Sequence, residues 1–126
     1  MKISNRVKSN NFSKLNGKNL NIAIVQARFN KQITDKLTQG ARRGLRQAGV
    51  KPERISLFKA PGAFEIPLIC QKLSQSGKYH GIITIGAVIK GETAHFEHIS
   101  QAAVSGVMQV MLNEKLPIAL GIITVY

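Results

Sequence analysis

The chain has 126 residues, of which 44% are hydrophobic, so it can bury one core but is too short for two ordinary domains. Its formal net charge is +12, yet no basic stretch alternates with aromatic residues and no zinc-finger or helix-turn-helix pattern occurs, so we expect no specific nucleic-acid partner. The apolar runs are too short or too interrupted to cross a bilayer, so no membrane partner is expected. The single cysteine, Cys70, excludes an intrachain disulfide and favours a cytoplasmic protein with a buried thiol.

The first predicted region is a basic N-terminal arm. Residues 1–19 are rich in Lys, Asn and Ser, and contain neither an acidic residue nor a continuous apolar core. This composition predicts a flexible arm rather than a secretory signal. A single α/β domain is then expected over residues 20–126.

Strands and helices alternate through the first half of that domain. A short apolar run at 20–25 predicts a buried strand, and apolar residues spaced three or four apart predict a helix over 33–50, with Gly49 at its end. A second strand is expected at 54–58 and a second helix at about 63–76.

The second half continues the alternation. Gly81–Ile89 is β-branched on both faces, which is typical of a central buried strand. A helix over about 94–113 and a last strand at Ile118–Val125 follow. Four strands joined by three helices predict right-handed crossovers and a parallel sheet. Because three helices cannot cover four strands completely, part of the sheet needs a partner or further elements.

Distinctive residues follow the first three predicted strands, at 28–30, 60–67 and 90–95. The carboxyl ends of parallel strands are where ligands bind in such folds, so we expect these segments to meet at one edge of the sheet. Each segment also has an ordinary structural interpretation. Phe29 would be a buried loop anchor, the Pro61-Gly62 pair a simple turn, and residues 91–93 a helix entry.

The third of these segments has the features of an anion site. Gly91, Glu92 and Thr93 lead into a helix, where free backbone N–H groups and the helix dipole favour negative charge. His95 follows in the first turn, where an imidazole can exchange protons with a substrate near neutral pH. His95 and His98 lack an evident third ligand, so we expect no metal.

Taken together and in order, segments 28–30 (RFN), 61–67 (PGAFEIP), 86–97 (GAVIKGETAHFE) and 121–124 (GIIT) resemble the lumazine synthase family, over about residues 20–125. The resemblance implies a three-layer, flavodoxin-like α/β fold with a four-stranded parallel sheet in the order 2-1-3-4. It also implies a transferase that makes 6,7-dimethyl-8-ribityllumazine from 5-amino-6-(D-ribitylamino)uracil and 3,4-dihydroxy-2-butanone 4-phosphate. This is the penultimate step of riboflavin biosynthesis, and it uses no cofactor or metal.

The same resemblance implies a role for each site residue. His95 would be the catalytic proton donor, and the main-chain N–H groups of Glu92 and Thr93 would bind the substrate phosphate. The residues assigned to the pyrimidine substrate are Phe29, Ala63, Phe64, Glu65, Ala87, Val88, Ile89 and Leu120. Two positions depart from the family pattern, because Lys90 stands where Arg is common and Leu120 where Phe is frequent.

The resemblance further implies a homo-oligomer, either a pentamer or an icosahedral shell of sixty subunits, with active sites between subunits. Family members continue past the fourth strand with helices and an Arg that contacts the substrate phosphate, and these are missing here. We therefore expect weak phosphate binding, low activity, and either poor solubility or aberrant assembly for this chain. The alternative is a non-catalytic relative that binds a flavin-like ligand or acts as a shell scaffold.

Overall fold

A computed structural model of the chain describes residues 15–91 and 95–125. Most of the predicted N-terminal arm lies outside these residues. Its last part lies against the domain, since Gly17 is buried and its N–H donates a hydrogen bond of 2.8 Å to the carbonyl of Ala48.

Within the described residues, seven helices and strands follow the predicted alternation. They are β1 (Ile22–Ala27), α1 (Lys31–Gln47), β2 (Ile55–Ala60), α2 (Ile66–Gln75), β3 (Gly81–Ile89), α3 (Phe96–Glu114) and β4 (Ile118–Val125). Short 3-10 turns at Pro52–Arg54 and Ala63–Glu65 precede β2 and α2. The bounds predicted for β3 and β4 are confirmed to the residue, whereas β1 and β2 each extend two residues beyond their predicted ends.

The four strands form one parallel sheet in the order β2-β1-β3-β4, which confirms the predicted topology. Strand β1 is buried at every position, because it has strand neighbours on both sides and helices over both faces. Strand β3 is the other central strand, in agreement with its β-branched sequence. Strands β2 and β4 form the edges.

Helices cover the sheet on both faces, which confirms the three-layer arrangement. On one face α1 packs through Leu37 and Leu45 against a cluster that includes Ile24 and Ile85. On the other face α2 and α3 pack together over a larger core that includes Ile66 and Val107. None of the described helices is both long and apolar enough to cross a membrane.

Helix α1 contacts β1 partly through polar groups, which its sequence pattern did not predict. The side chain of Gln26 on β1 is 1% exposed and lies beneath α1. Its amide nitrogen donates to the hydroxyl of Thr34 (3.1 Å) and to the carboxylate of Asp35 (2.8 Å). The hydroxyl of Thr38 donates to the Gln26 carbonyl oxygen (2.8 Å). Because both the amide nitrogen and the carbonyl oxygen of the Gln26 side chain have hydrogen-bond partners, this buried glutamine is tolerated in the central strand.

Cys70 lies in the core on the α2 side of the sheet, as predicted. Burial disfavours the thiolate and raises the pKa of the Cys70 thiol to about 12. The side chain is therefore an apolar packing group at neutral pH.

Candidate substrate-binding site

A cleft of about 390 Å³ opens at the carboxyl ends of β1, β2 and β3. Its lining comes from three separate parts of the chain, which the parallel topology brings to one edge. The residues that line it are Ala27, Phe29, Asn30, Gly62, Ala63, Phe64, Glu65, Ala87, Val88, Ile89 and Ile99. Seven of the eight residues expected to contact the pyrimidine are among them.

Phe29 forms one wall of the cleft. Its side chain is 69% exposed, so the interpretation of Phe29 as a buried loop anchor is wrong. The ring lies against Gly62, where an added Cβ would be only 3.3 Å from the ring atom Cδ2. Phe64, also largely exposed, lies two residues after Gly62, in the 3-10 turn before α2. Two aromatic rings exposed in a cleft provide π-faces on which a flat heterocycle can stack.

A second wall of the cleft is formed by the end of β3. Ala87 and Val88 are buried, and Ile89 is half-buried. Strand β1 pairs with β3 only as far as Gln26 and Ile85, so the backbone of the last β3 residues extends beyond β1 and borders the cleft. Ala63 and Glu65 belong to the 3-10 turn before α2 and bring one carboxylate-bearing side chain to an otherwise mostly apolar lining.

Asn30 joins these two walls. Its side-chain amide nitrogen donates a hydrogen bond of 2.7 Å to the carbonyl oxygen of Ala87. Its backbone has the left-handed conformation, with φ 59° and ψ 51°, and its own carbonyl accepts hydrogen bonds from the N–H groups of Ile33 and Thr34. Asn30 therefore ends the loop after β1 and begins α1 in one residue.

His95 lies at the start of α3, immediately before Phe96–Glu114. Its carbonyl accepts a hydrogen bond of 2.9 Å from the N–H of Ile99, which lines the cleft one helical turn further on. The predicted proton donor is thus exposed at the end of α3 that faces the carboxyl edge of the sheet. Glu92 and Thr93, the predicted phosphate-binding residues, lie outside the described residues. Gly91, which precedes them, has φ 93°.

Leu120 does not line this cleft. It lies on the edge strand β4 opposite Thr84, before the level of the cleft residues on β3, and is 51% exposed. The expectation that it lines the site of a neighbouring subunit stays a prediction.

Two other features of the described surface, a groove along α1 and a pair of histidines, differ from this cleft. A groove of about 560 Å³ runs along α1, away from the strand ends, and is lined by Gln39, Arg42, Arg43, Arg46 and Gln47. The rings of His95 and His98 are 6.2 Å apart, centre to centre. Across residues 15–91 and 95–125, no group of three His, Cys, Asp or Glu side chains is placed to hold a metal ion.

Four residues that line the cleft had no assigned role from sequence. Asn30 and Gly62 stand inside the recognised segments, and their neighbours were assigned instead. Ala27 is the last residue of β1, and Ile99 belongs to the apolar stripe of α3. The position of Ala27 at the end of a strand could have indicated its place in the cleft. For Ile99 the sequence offers only helical periodicity, which does not indicate a binding role.

The fold and the cleft define an α/β protein with a candidate small-molecule site at the carboxyl edge of a parallel sheet. The family model described as 6,7-dimethyl-8-ribityllumazine synthase matches residues 19–126. The chain belongs to this family.

Individual relatives agree with this assignment. The chain is 47% identical to the 6,7-dimethyl-8-ribityllumazine synthase of Pediococcus pentosaceus over 86% of this chain and 69% of the relative. It is 44% identical to the enzyme of the same name from Desulfovibrio desulfuricans over 87% of this chain and 70% of the relative. For the corresponding protein of an Azoarcus species the identity is 45%, over 89% and 72%.

Proposed function

We propose that the chain is a 6,7-dimethyl-8-ribityllumazine synthase, which condenses 5-amino-6-(D-ribitylamino)uracil with 3,4-dihydroxy-2-butanone 4-phosphate. Family membership supports the reaction. The observation that carries the site is the cleft between the Phe29 loop and the end of β3, which contains seven of the eight side chains or backbone segments expected to bind the pyrimidine.

The cleft suits the pyrimidine substrate in size and chemistry. Its volume of about 390 Å³ lies in the range of small-molecule sites. Stacking on the exposed ring of Phe29 would hold the flat heterocycle, and the backbone at the end of β3 would offer hydrogen bonds to its edge. Phe64 and Glu65 would contact the ring and the ribityl chain.

The chemistry needs two substrates in contact and a group that moves protons. An imine forms between the substrate amine and the ketone with loss of water, phosphate leaves, and the second amine then closes the ring on the remaining carbonyl with loss of a second water. His95, at the start of α3, would transfer protons beside the leaving phosphate. Glu92 and Thr93 would bind that phosphate through their main-chain N–H groups. Much of the remaining rate enhancement would come from holding the two substrates in register.

We also propose that the chain acts as a homo-oligomer, a pentamer or a sixty-subunit shell, in the cytoplasm. The exposed apolar side chains on the edge strand β4 support a subunit contact there, and the large ones are Leu120 (51% exposed) and Ile123 (38%). In such an assembly Leu120 would approach the cleft of the adjacent subunit.

The test is to mix the purified protein with both substrates and follow the absorbance and fluorescence of the lumazine. Phosphate release, measured in parallel, should match lumazine formation one to one. Omission of either substrate should abolish both signals. Pyrimidine binding without lumazine formation would contradict the proposal and support the ligand-binding alternative.

A further inference from the structure

The loop that carries Phe29 is attached to β3 by one side chain. Strand β1 stops pairing with β3 at Gln26 and Ile85, so the Ala87 carbonyl lies beyond the part of β3 that β1 reaches. The side-chain amide of Asn30 donates to this carbonyl at 2.7 Å. A side chain thereby replaces the strand neighbour that a longer β1 would have provided.

The backbone of Asn30, like its side chain, is fixed by hydrogen bonds. Asparagine is one of the few residues that tolerate the left-handed conformation found here. The N–H groups of Ile33 and Thr34 each donate to the Asn30 carbonyl at 3.0 Å. Thr34 is in turn bound by the buried amide of Gln26. The position of Asn30 is therefore set by β1 and α1 together. Its side-chain bond to Ala87 then fixes the Phe29 loop relative to β3.

We propose that Asn30 is a positioning residue for the pyrimidine substrate: its bond to Ala87 sets the separation between the Phe29 ring and the backbone at the end of β3. This inference rests on the proposed function. Loss of the amide would free the Phe29 loop to move relative to β3. The pyrimidine would then no longer stack and hydrogen-bond at the same time.

Two substitutions separate the side-chain role from the backbone role. Asn30→Gly keeps the left-handed conformation without strain and removes the donor. Asn30→Asp keeps shape and conformation but presents a carboxylate, which cannot donate, to the Ala87 carbonyl. We expect the pyrimidine to bind about tenfold more weakly to Asn30→Gly and about thirtyfold to a hundredfold more weakly to Asn30→Asp. The KM for the butanone phosphate should change less than about threefold, because Asn30 contacts β3 at Ala87 and the residues proposed to bind the phosphate come later in the chain.

The matched control for Asn30→Asp is Gln32→Glu. It adds the same single negative charge at an exposed position two residues away, at the start of α1. It should bind the pyrimidine like the parent protein. Binding is measured by titration with the pyrimidine alone, and the midpoint of thermal unfolding is recorded for every variant. A role confined to stability would lower that midpoint and leave the ratio of the two substrate affinities unchanged.

The outcomes distinguish this inference from the proposed function. If the parent protein forms lumazine and both Asn30 variants bind the pyrimidine within twofold of it, the inference about Asn30 is wrong and the function stands. Equal weakening for both substrates also overturns it. If the parent protein neither binds the pyrimidine nor forms lumazine, the function itself fails and the inference fails with it.

Discussion

Substitution of Phe29 by alanine should separate substrate binding from folding more cleanly than any other change in the cleft. Phe29 is 69% exposed, so in the absence of ligand its side chain contributes little packing. If the pyrimidine stacks on it, the ligand covers the exposed face and the interaction exists only in the complex. Phe29→Ala should therefore reduce affinity with little change in stability.

The two magnitudes follow from exposure. A fully buried Phe side chain stabilises a fold by about 1.5 to 3 kcal/mol, and only about a third of this ring is covered, so the cost to the free energy of unfolding should stay below about 1 kcal/mol. Stacking of a base on an aromatic side chain is worth about 1 to 3 kcal/mol. The pyrimidine dissociation constant should therefore rise by about 5-fold to 150-fold.

Phe58→Ala is the matched control. Phe58 on β2 is half-buried against the core and makes an edge-to-face contact with Tyr79, with ring centres 6.0 Å apart. Its removal should destabilise the fold and leave pyrimidine affinity near that of the parent protein. Both variants are titrated with the pyrimidine and unfolded in urea. An unchanged dissociation constant for Phe29→Ala would refute stacking on this ring, and a loss of stability equal to that of Phe58→Ala would make Phe29 a packing residue.

Three further predictions concern other parts of the molecule. His95→Ala should lower single-turnover lumazine formation by roughly tenfold to a thousandfold while pyrimidine affinity changes little, and turnover at the parent rate would make His95 a structural helix residue. Gln26→Leu should reduce the free energy of unfolding in urea by about 1 to 3 kcal/mol, because buried hydroxyls of α1 lose their partner, and an unchanged value would mean that α1 packs equally well without it. Because burial raises the pKa of Cys70 to about 12, iodoacetamide at pH 8 should label it only after the chain is unfolded, and rapid labelling of the folded protein would contradict its burial.

The bounds of two strands could be predicted to the residue from local sequence. Strand β3 is rich in β-branched residues and begins at Gly81, and β4 begins directly after Pro117; the observed bounds of both strands equal the predicted ones. The end of β1 was predicted too early because Gln26 is polar. Its burial depends on Thr34 and Thr38, which reach it only after α1 has packed on the sheet. A pattern within one segment does not contain that information.

The site, too, has parts that the sequence predicted and parts that depend on contacts between distant residues. Segments at the strand ends, such as 28–30 and 61–67, were expected at one edge because parallel topology requires it, and the cleft contains residues from both. The role inferred for Asn30 was not accessible in this way, because it depends on a bond to the distant Ala87 carbonyl. Likewise, the closeness of Gly62 to the Phe29 ring appears only when the two loops are placed side by side.

The complete burial of β1 has a consequence for how the molecule moves. A strand enclosed on all sides opens only when the whole domain unfolds, so its amide protons should exchange with solvent among the slowest of the chain. Phe29 lies only two residues beyond the end of this strand. The most mobile kind of structure, an exposed loop, is therefore attached at very short range to the most rigid part of the fold. The bond from Asn30 to Ala87 and the small number of backbone torsions between Ala27 and α1 together limit the motion of the loop, so the aromatic wall keeps its place without being buried.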